Sequence, residues 1–397
     1  MSERARKLLV VINTSWNIIN FRTGLIRGLM GAGYEVVVAA PRDRFSAEIE
    51  RNLGCRYVEL PIAGHSRSPV TDLALFGRFV SLMRAERPDA FLGFTVKPNV
   101  FGSLAANLFG IPCINNIAGL GSVFNETSLT ARIVVILYRI ALRRSHWVFF
   151  QNREDLELFV ARGLVQRVRA GLLPGSGIDT ARFATPAKVP SKAGQPFTFL
   201  LVARLLKEKG LAELAEATRA VRRKHPQVRT RVLGPLDPRN PAAVPQTQLD
   251  GWVAEGVLEY LGVADDVRTI LAQADCFVLP SYYREGTPRA LLEAAAMAKP
   301  IITTDMPGCR DVVDEGMNGC LVPPRDVCAL ADAMTSMIEA SPATIAAMGQ
   351  ASRVKAEQQF DEKLVVERYL AALLEILLTP QRGRSGREST MPHGSRN

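Results

Sequence analysis

"DCFVLPSYYREGTPRALLEAAAMAKPIITTD", residues 275–305, holds two apolar strands and the helix that joins them. "DCFVLPS" (275–281) reads as a buried strand, "PRALLEAAAMAK" (288–299) as a helix and "PIITTD" (300–305) as a second strand. Apolar strands separated by amphipathic helices mean a parallel sheet covered on both faces. Ligands of such sheets bind at the C-terminal ends of the strands, here the loop "YYREGTP".

The same alternation extends in both directions. Downstream of 197 come strands at 197–204 and 230–235, helices at 210–226 and 265–274, an extended "NGCLVPP" (318–324), and helices at 327–340 and 362–378. Upstream come "KLLVVIN" (7–13), a helix at 21–33, "YEVVVAAP" (34–41), a helix at 72–88, and strands at 89–94, 112–117 and 146–152. Between the halves lies "LPGSGIDTARFATPAKVPSKAGQP" (173–196), rich in Pro, Gly, Ser and Lys, a linker composition. The expected organisation is α/β: two Rossmann-like, doubly wound domains facing across a cleft. They span 1–173 and 197–359 with a linker at 174–196. The helix at about 360–378 is expected to pack back on the first domain, and the polar tail 379–397 to be disordered.

Composition narrows the class. With 397 residues, 47% hydrophobic and 22% charged, the chain suits a large globular core. No run of about 18 or more uncharged apolar residues exists, so no spanning helix is expected. Six cysteines without metal or disulfide spacing suit a reduced, cytosolic protein. Residues 1–190 hold 24 Lys+Arg against 14 Asp+Glu, whereas 191–397 hold 25 of each, so the whole net charge of +10 sits in the first half. Such a field suits an anionic partner, although a generally basic proteome gives the same count.

Glu285 lies on the loop after strand 275–281, and Glu293 about one and a half turns into the helix. Thr287 suits the N-cap and Pro288 the first helical position. The amides around Gly286 to Arg289 leave a helix N-terminus, a ready anion site. The layout reads as a nucleotide sugar held three ways: Glu285 on the sugar, the helix start on the diphosphate, Glu293 on the ribose. A capped helix carrying one exposed charge is the plainer reading of the same residues. In "VARLLKEKG" (202–210), Arg204 ends a strand and Lys209 follows five residues on, two cations suited to a diphosphate, with Lys207 a rival for the second.

Together, "VARLLKEKG", "PSYYREGTPRALLEAAAMAKPIITTDMPGCRDVV" and "NGCLVPPRD" resemble the donor domain of family 4 glycosyltransferases, which have the GT-B fold and retain anomeric configuration. "NTSWNIINFRTGLIRGLMGAGYEVVVAAP", "FTVKPNVFGSLAANLFGIPCINNIAGLGSVF" and "LLPGSGIDTARF" resemble the bacterial branch that extends undecaprenyl-diphosphate-linked oligosaccharides, including N-acetylgalactosaminyl transferases. The resemblance runs to about residue 378. It implies transfer of a hexose or N-acetylhexosamine from a UDP-sugar to a polyprenyl-diphosphate-linked saccharide. It assigns Arg204 and Lys209 to the leaving diphosphate, Glu285 to the donor sugar, Glu293 to the ribose and the backbone amides of Gly286 and Thr287 to the donor phosphate, with Pro288 beside them in the donor site. No cofactor or metal is implied, since the two cations take the metal's place, and the chain has no Asp-x-Asp.

The first half departs from the commoner family pattern, having no Gly-Gly pair after its first strand. Asn13, Asn17, Asn20 and Arg22 stand there instead, as acceptor contacts or, for Asn17 and Asn20, as caps of the following helix. Lys97, at the end of "FTVKPN", and the loop glycines Gly119 and Gly121 are further acceptor candidates. The helix "TARIVVILYRIALRRSHW" (130–147) carries Arg132, Arg139, Arg143 and Arg144 on an otherwise apolar surface. It suits an anionic membrane, or a core helix with solvated arginines. The expected location is cytoplasmic, peripheral on the inner face of the cytoplasmic membrane, with no nucleic-acid partner. Two alternatives use the same cleft. A UDP-sugar 2-epimerase would rely on several carboxylates and histidines, and the chain has only four histidines. A non-catalytic membrane scaffold would leave the Arg204, Lys209, Glu285 and Glu293 set without a purpose.

Overall fold

The computed structural model describes residues 4–63, 68–120, 129–184, 195–238 and 240–378. The first lobe is built on a seven-stranded sheet of order β3-β2-β1-β4-β5-β6-β7. Its strands are β1 (Lys7–Val11), β2 (Glu35–Ala40), β3 (Arg56–Glu59), β4 (Ala90–Phe94), β5 (Cys113–Ile117), β6 (Trp147–Phe150) and β7 (Ala170–Leu172). The second has six strands in the order β10-β9-β8-β11-β12-β13. These are β8 (Thr198–Val202), β9 (Arg229–Leu233), β10 (Glu259–Tyr260), β11 (Cys276–Leu279), β12 (Ile301–Thr304) and β13 (Gly319–Val322). Every strand pair is parallel.

Helices cover both faces. In the first lobe they are α1 (Ser15–Phe21), α2 (Thr23–Gly31), α3 (Ser46–Glu48), α4 (Pro69–Glu86), α5 (Ser103–Leu108), α6 (Leu129–Leu142) and α7 (Arg153–Ala161). The second half adds α8 (Leu211–Arg222), α9 (Gln246–Ala254), α10 (Arg268–Gln273), α11 (Arg289–Ala296), α12 (Val327–Glu339), α13 (Pro342–Gln359) and α14 (Glu362–Leu378). The unbroken apolar run of β1 follows from this burial. Leu8 and Val10 point into the core under α2, while Leu9 and Val11 point into the core under α4.

The chain returns to the first lobe at its end. Val365, Tyr369 and Leu373 of α14 are buried with Leu25, Ile26 and Leu29 of α2. Gly24 and Gly28 make that approach possible: a Cβ on Gly28 would stand 2.4 Å from Val366. The two crossings between lobes run side by side, the Ile178 N–H donating to Phe360 O (2.8 Å) and the Glu362 N–H to Ile178 O (3.0 Å).

Some elements differ from the sequence expectation. The helix expected over 21–33 begins at Thr23, and a separate helix, α1 over Ser15–Phe21, precedes it, the two divided at Arg22, whose ψ of 0° leaves the helical range. β3, at the sheet edge, has exposed residues at both ends and two half-buried ones between, and β7 is only three residues long, so neither carries an apolar run. α13 has polar residues all round and buries mainly small ones, Gly349, Ser352 and Ala356. The tail 379–397 and Gly121 lie outside the described residues.

Candidate active site

In each sheet the strand order reverses beside the first strand of the lobe, between β1 and β4 and between β8 and β11. Loops leaving such neighbours diverge to opposite faces and open a crevice. The residues after β8 and β11 therefore meet in one place.

Beyond β8 the chain passes Arg204 and one 3₁₀ turn, Lys207–Lys209, before Gly210 starts α8 with φ at 77°. A Cβ at Gly210 would stand 2.2 Å from the Pro280 carbonyl oxygen, so the turn is locked against the β11 loop. This turn separates the two lysines. Lys207 faces solvent, while Lys209 is buried and its ammonium donates a hydrogen bond to the Glu285 carboxylate. Ser281 Oγ donates to the same carboxylate oxygen over 3.3 Å. The Tyr283 ring centroid lies 5.7 Å from the Lys209 ammonium, and burial, with Glu285 adding, pushes the Tyr283 phenol up. Arg204 stands exposed at the rim. Under the loop, burial, with Glu285 adding, pushes the Cys309 thiol up to about 12, so it stays neutral.

The start of α11 differs from expectation. Pro288, not Thr287, occupies the cap position, with no side-chain cap. Thr287 Oγ instead donates to Gln151 O of the first lobe (3.1 Å), and the Gly286 amide donates to Ala118 O (3.1 Å) rather than standing open to an anion. Glu293 is one helical turn from Arg289, which puts both on one face, and the Arg289 Nε–Glu293 Oε1 distance is 3.4 Å. Burial pushes the Glu293 carboxyl up and the Arg289 guanidinium down. Arg289 also donates to Ser176 Oγ (3.2 Å) and to Gly177 O, tying the helix to the interlobe crossing.

Across the crevice, Thr14 caps α1, its hydroxyl accepting the Asn17 N–H (3.2 Å). Asn17 and Asn20 therefore lie inside the helix and are not its caps. Asn20 Nδ2 donates to Trp16 O (2.9 Å), while Asn17 Oδ1 is buried without a partner among the described residues. Arg22 is only 4% exposed, its guanidinium 4.6 Å above the Phe94 ring centroid, with Nε and Nη1 unpartnered among the described residues. Burial brings it down to about 10, against the opposing pull of Tyr369. Lys97 is engaged within its own lobe, 2.8 Å from Asp72 Oδ1 on α4. Gly119, with φ at 114°, lets a backbone approach closely, but what approaches is the donor-side loop: a Cβ there would stand 2.5 Å from the Gly286 nitrogen.

The structure thus brings Arg204, Lys209, Glu285, Gly286 and Thr287 together, and sets Glu293 behind them with Arg289. Gln151, Asn152 and Asp155, which also reach this loop, carry no sequence motif. The one available signal was the Asn152-x-x-Asp155 spacing of a capped helix directly after a strand end.

Residues 20–175 match the model for a glycosyl transferase 4-like domain, and residues 196–340 match that for glycosyl transferases group 1. The chain belongs to this glycosyltransferase family. It is 27% identical over 369 residues to the N,N'-diacetylbacillosaminyl-diphospho-undecaprenol alpha-1,3-N-acetylgalactosaminyltransferase of Campylobacter jejuni, spanning 89% of this chain and 94% of that one. It is 25% identical over 294 residues to the Escherichia coli UDP-Gal:alpha-D-GlcNAc-diphosphoundecaprenol alpha-1,3-galactosyltransferase, 70% and 74% of the two chains. A glycosyltransferase from Rickettsia africae superimposes with a TM-score of 0.77 at 17% identity, covering 95% of this chain and 100% of that one. The transferase has the GT-B fold, its two lobes facing across the crevice.

Proposed function

We propose that the transferase moves a hexose or N-acetylhexosamine from a UDP-sugar to a polyprenyl-diphosphate-linked saccharide, with retention at the anomeric carbon. The observation that carries this reading is the Lys209–Glu285 contact in the second-lobe crevice, beside Arg204. The activities of the C. jejuni and E. coli relatives support the lipid-linked acceptor, and that of the E. coli relative supports the UDP donor.

In the proposed reaction the bond from the anomeric carbon to the diphosphate breaks and a bond from the same carbon to the acceptor oxygen forms on the same face. The acceptor's hydroxyl proton passes to the departing phosphate oxygen. Lys209 and Arg204 offset the negative charge that grows there, and such preorganised charge is the largest catalytic contribution a site of this kind offers. Glu285 accepts hydroxyl groups of the sugar. On the acceptor side, Arg22 is the anion contact, since a phosphate would satisfy guanidinium nitrogens that are buried without a partner among the described residues. The cations do the work a metal ion does elsewhere.

The acceptor's lipid puts the enzyme at a membrane. Among the described residues no helix is long and apolar enough to cross one. α6 instead exposes Ile133, Ile136 and Ile140 along one face, with exposed Arg132, Arg139, Arg143 and Arg144 around them. Apolar side chains entering the headgroup region between arginines that meet anionic lipid make a surface-bound helix.

The test is incubation with a panel of UDP-sugars and a polyprenyl-diphosphate-linked monosaccharide. Product is followed by mass spectrometry and its anomeric configuration by NMR. An inverted product, or turnover with a different nucleotide only, overturns the corresponding part of the proposal.

A further inference from the structure

Four consecutive residues of the second-lobe loop, Arg284 to Thr287, each bond to the first lobe. Arg284 Nε donates to Asp155 Oδ1 (3.0 Å), Asn152 Nδ2 to Glu285 O (3.2 Å), the Gly286 amide to Ala118 O (3.1 Å), and Thr287 Oγ to Gln151 O (3.1 Å). The first-lobe partners sit at the ends of β5 and β6 and on the first turn of α7. Asn152 caps that helix, its Oδ1 accepting the Asp155 N–H (2.7 Å), and its amide also donates to Asp155 Oδ2 (3.0 Å).

We infer that Asp155 and Asn152 are positioning residues for the transfer reaction: they fix Arg284 and Glu285, so the Glu285 carboxylate reaches its working place only when the lobes are closed. This rests on the proposed role of Glu285 at the donor sugar.

Three observations distinguish this from general glue between lobes. First, the Asp155 side chain is fully buried, and burial pushes its carboxyl up, with Asn152 and Arg284 pulling the other way. A buried carboxylate contributes little net stability when paired, but it is costly when its partner leaves. Such a pair therefore selects one arrangement of the loop over others more than it strengthens the fold. Second, the approach has no slack. A Cβ on Gly286 would stand 2.3 Å from Gln151 Oε1 and 2.8 Å from Ala118 O. Third, the residue held from both sides, by Arg284 and Gly286, is the one whose side chain meets Lys209. A second tie, Arg310 Nη1 to Glu154 Oε1 (2.8 Å), joins the same helix start to the segment after β12.

The experiment compares Asp155→Asn, Arg284→Lys and Arg284→Ala with the wild-type full chain. Loop opening is read by hydrogen exchange at the Glu285–Thr287 amides, which needs no turnover, and UDP affinity, kcat and KM are measured in parallel. Arg284→Ala is expected to speed exchange at Gly286 at least tenfold and to lower kcat ten- to a hundredfold, with UDP affinity within twofold of wild type and a lower melting temperature, because the buried Asp155 carboxylate loses its partner. Arg284→Lys restores part of the loss. Should Asp155→Asn unfold the chain, the two Arg284 variants carry the comparison alone. Unchanged exchange in Arg284→Ala overturns the clamp. Faster exchange with undiminished kcat overturns its role in positioning. A wild-type protein that protects Gly286 yet transfers no sugar overturns the reading of Glu285 instead, leaving the clamp a structural contact only.

Discussion

Lys209, on the turn after β8, donates a hydrogen bond to Glu285, on the loop after β11. The two residues are 76 positions apart and meet because their strands are neighbours at the point where the strand order reverses. Lys209→Ala and Glu285→Ala are each expected to lower transfer by about a hundredfold or more, the scale of losing one preorganised group at a developing charge. Lys207→Ala is expected to stay near wild type, because that side chain faces solvent. The two losses differ in kind: Lys209→Ala weakens UDP binding, whereas Glu285→Ala spares it and lowers kcat. Steady-state kinetics with UDP titration checks this, and full activity in either variant removes the site assignment.

Glu293 gives a pH dependence whose sign follows from burial. Its folded carboxyl is pushed above the usual range by burial, against the pull of Arg289. The folded state therefore holds this proton more tightly than the unfolded chain. Its contribution to stability is full below the unfolded value and is lost as pH rises through the folded one. A Glu293→Gln variant lacks that titration. Its stability relative to wild type is expected to improve as pH rises from about 4 towards neutrality, and then to level off. Denaturant unfolding of both proteins across this range is the measurement, and a constant difference overturns the assignment.

Repeating alternation and local spacing were readable because they depend only on near neighbours. The apolar runs at β1, β4, β8 and β11 marked parallel strands, and Arg204, Lys209 and Glu285 stand at strand ends, where such sheets place ligands. Contacts between lobes were not readable. Nothing in "QNRED" (151–155) announces that Gln151, Asn152 and Asp155 meet a loop more than 120 residues later. Thr287 shows the same limit. Its neighbours predict an N-cap, yet its hydroxyl turns to Gln151 because the opposite lobe offers a carbonyl there. Glu293 looked like an exposed helical charge, and only the packed structure shows it enclosed with Arg289.

The α6 face predicts membrane binding that depends on both charge and apolar contact. Ile136, 53% exposed, is central to the stripe. Ile136→Asp is expected to reduce sedimentation with vesicles containing anionic lipid several-fold. Binding of the wild type should weaken as salt rises from about 0.1 to 0.5 M, since screening shortens the reach of the arginines. Equal binding to neutral and anionic vesicles, or an Ile136→Asp variant that binds like wild type, excludes α6 as the docking face.

The return of α14 to the first lobe predicts opposite signs for two glycine substitutions on one helix. At Gly28 an added Cβ would meet Val366 at 2.4 and 2.9 Å, so α14 must lift from α2 or Val366 must leave its rotamer. Overpacking of this kind costs about 1–3 kcal/mol, and the helix preference for alanine recovers only about 1 kcal/mol of it. At Gly31, three residues on, nothing lies within 4 Å of the added carbon and φ is not positive. Gly31→Ala is therefore expected to stabilise by about 0.4–1 kcal/mol, through loss of freedom in the unfolded chain. Gly28→Ala should melt lower than wild type and Gly31→Ala slightly higher. Two substitutions that shift stability alike would mean that α14 is not seated on α2, and would detach the C-terminal helix from the first lobe.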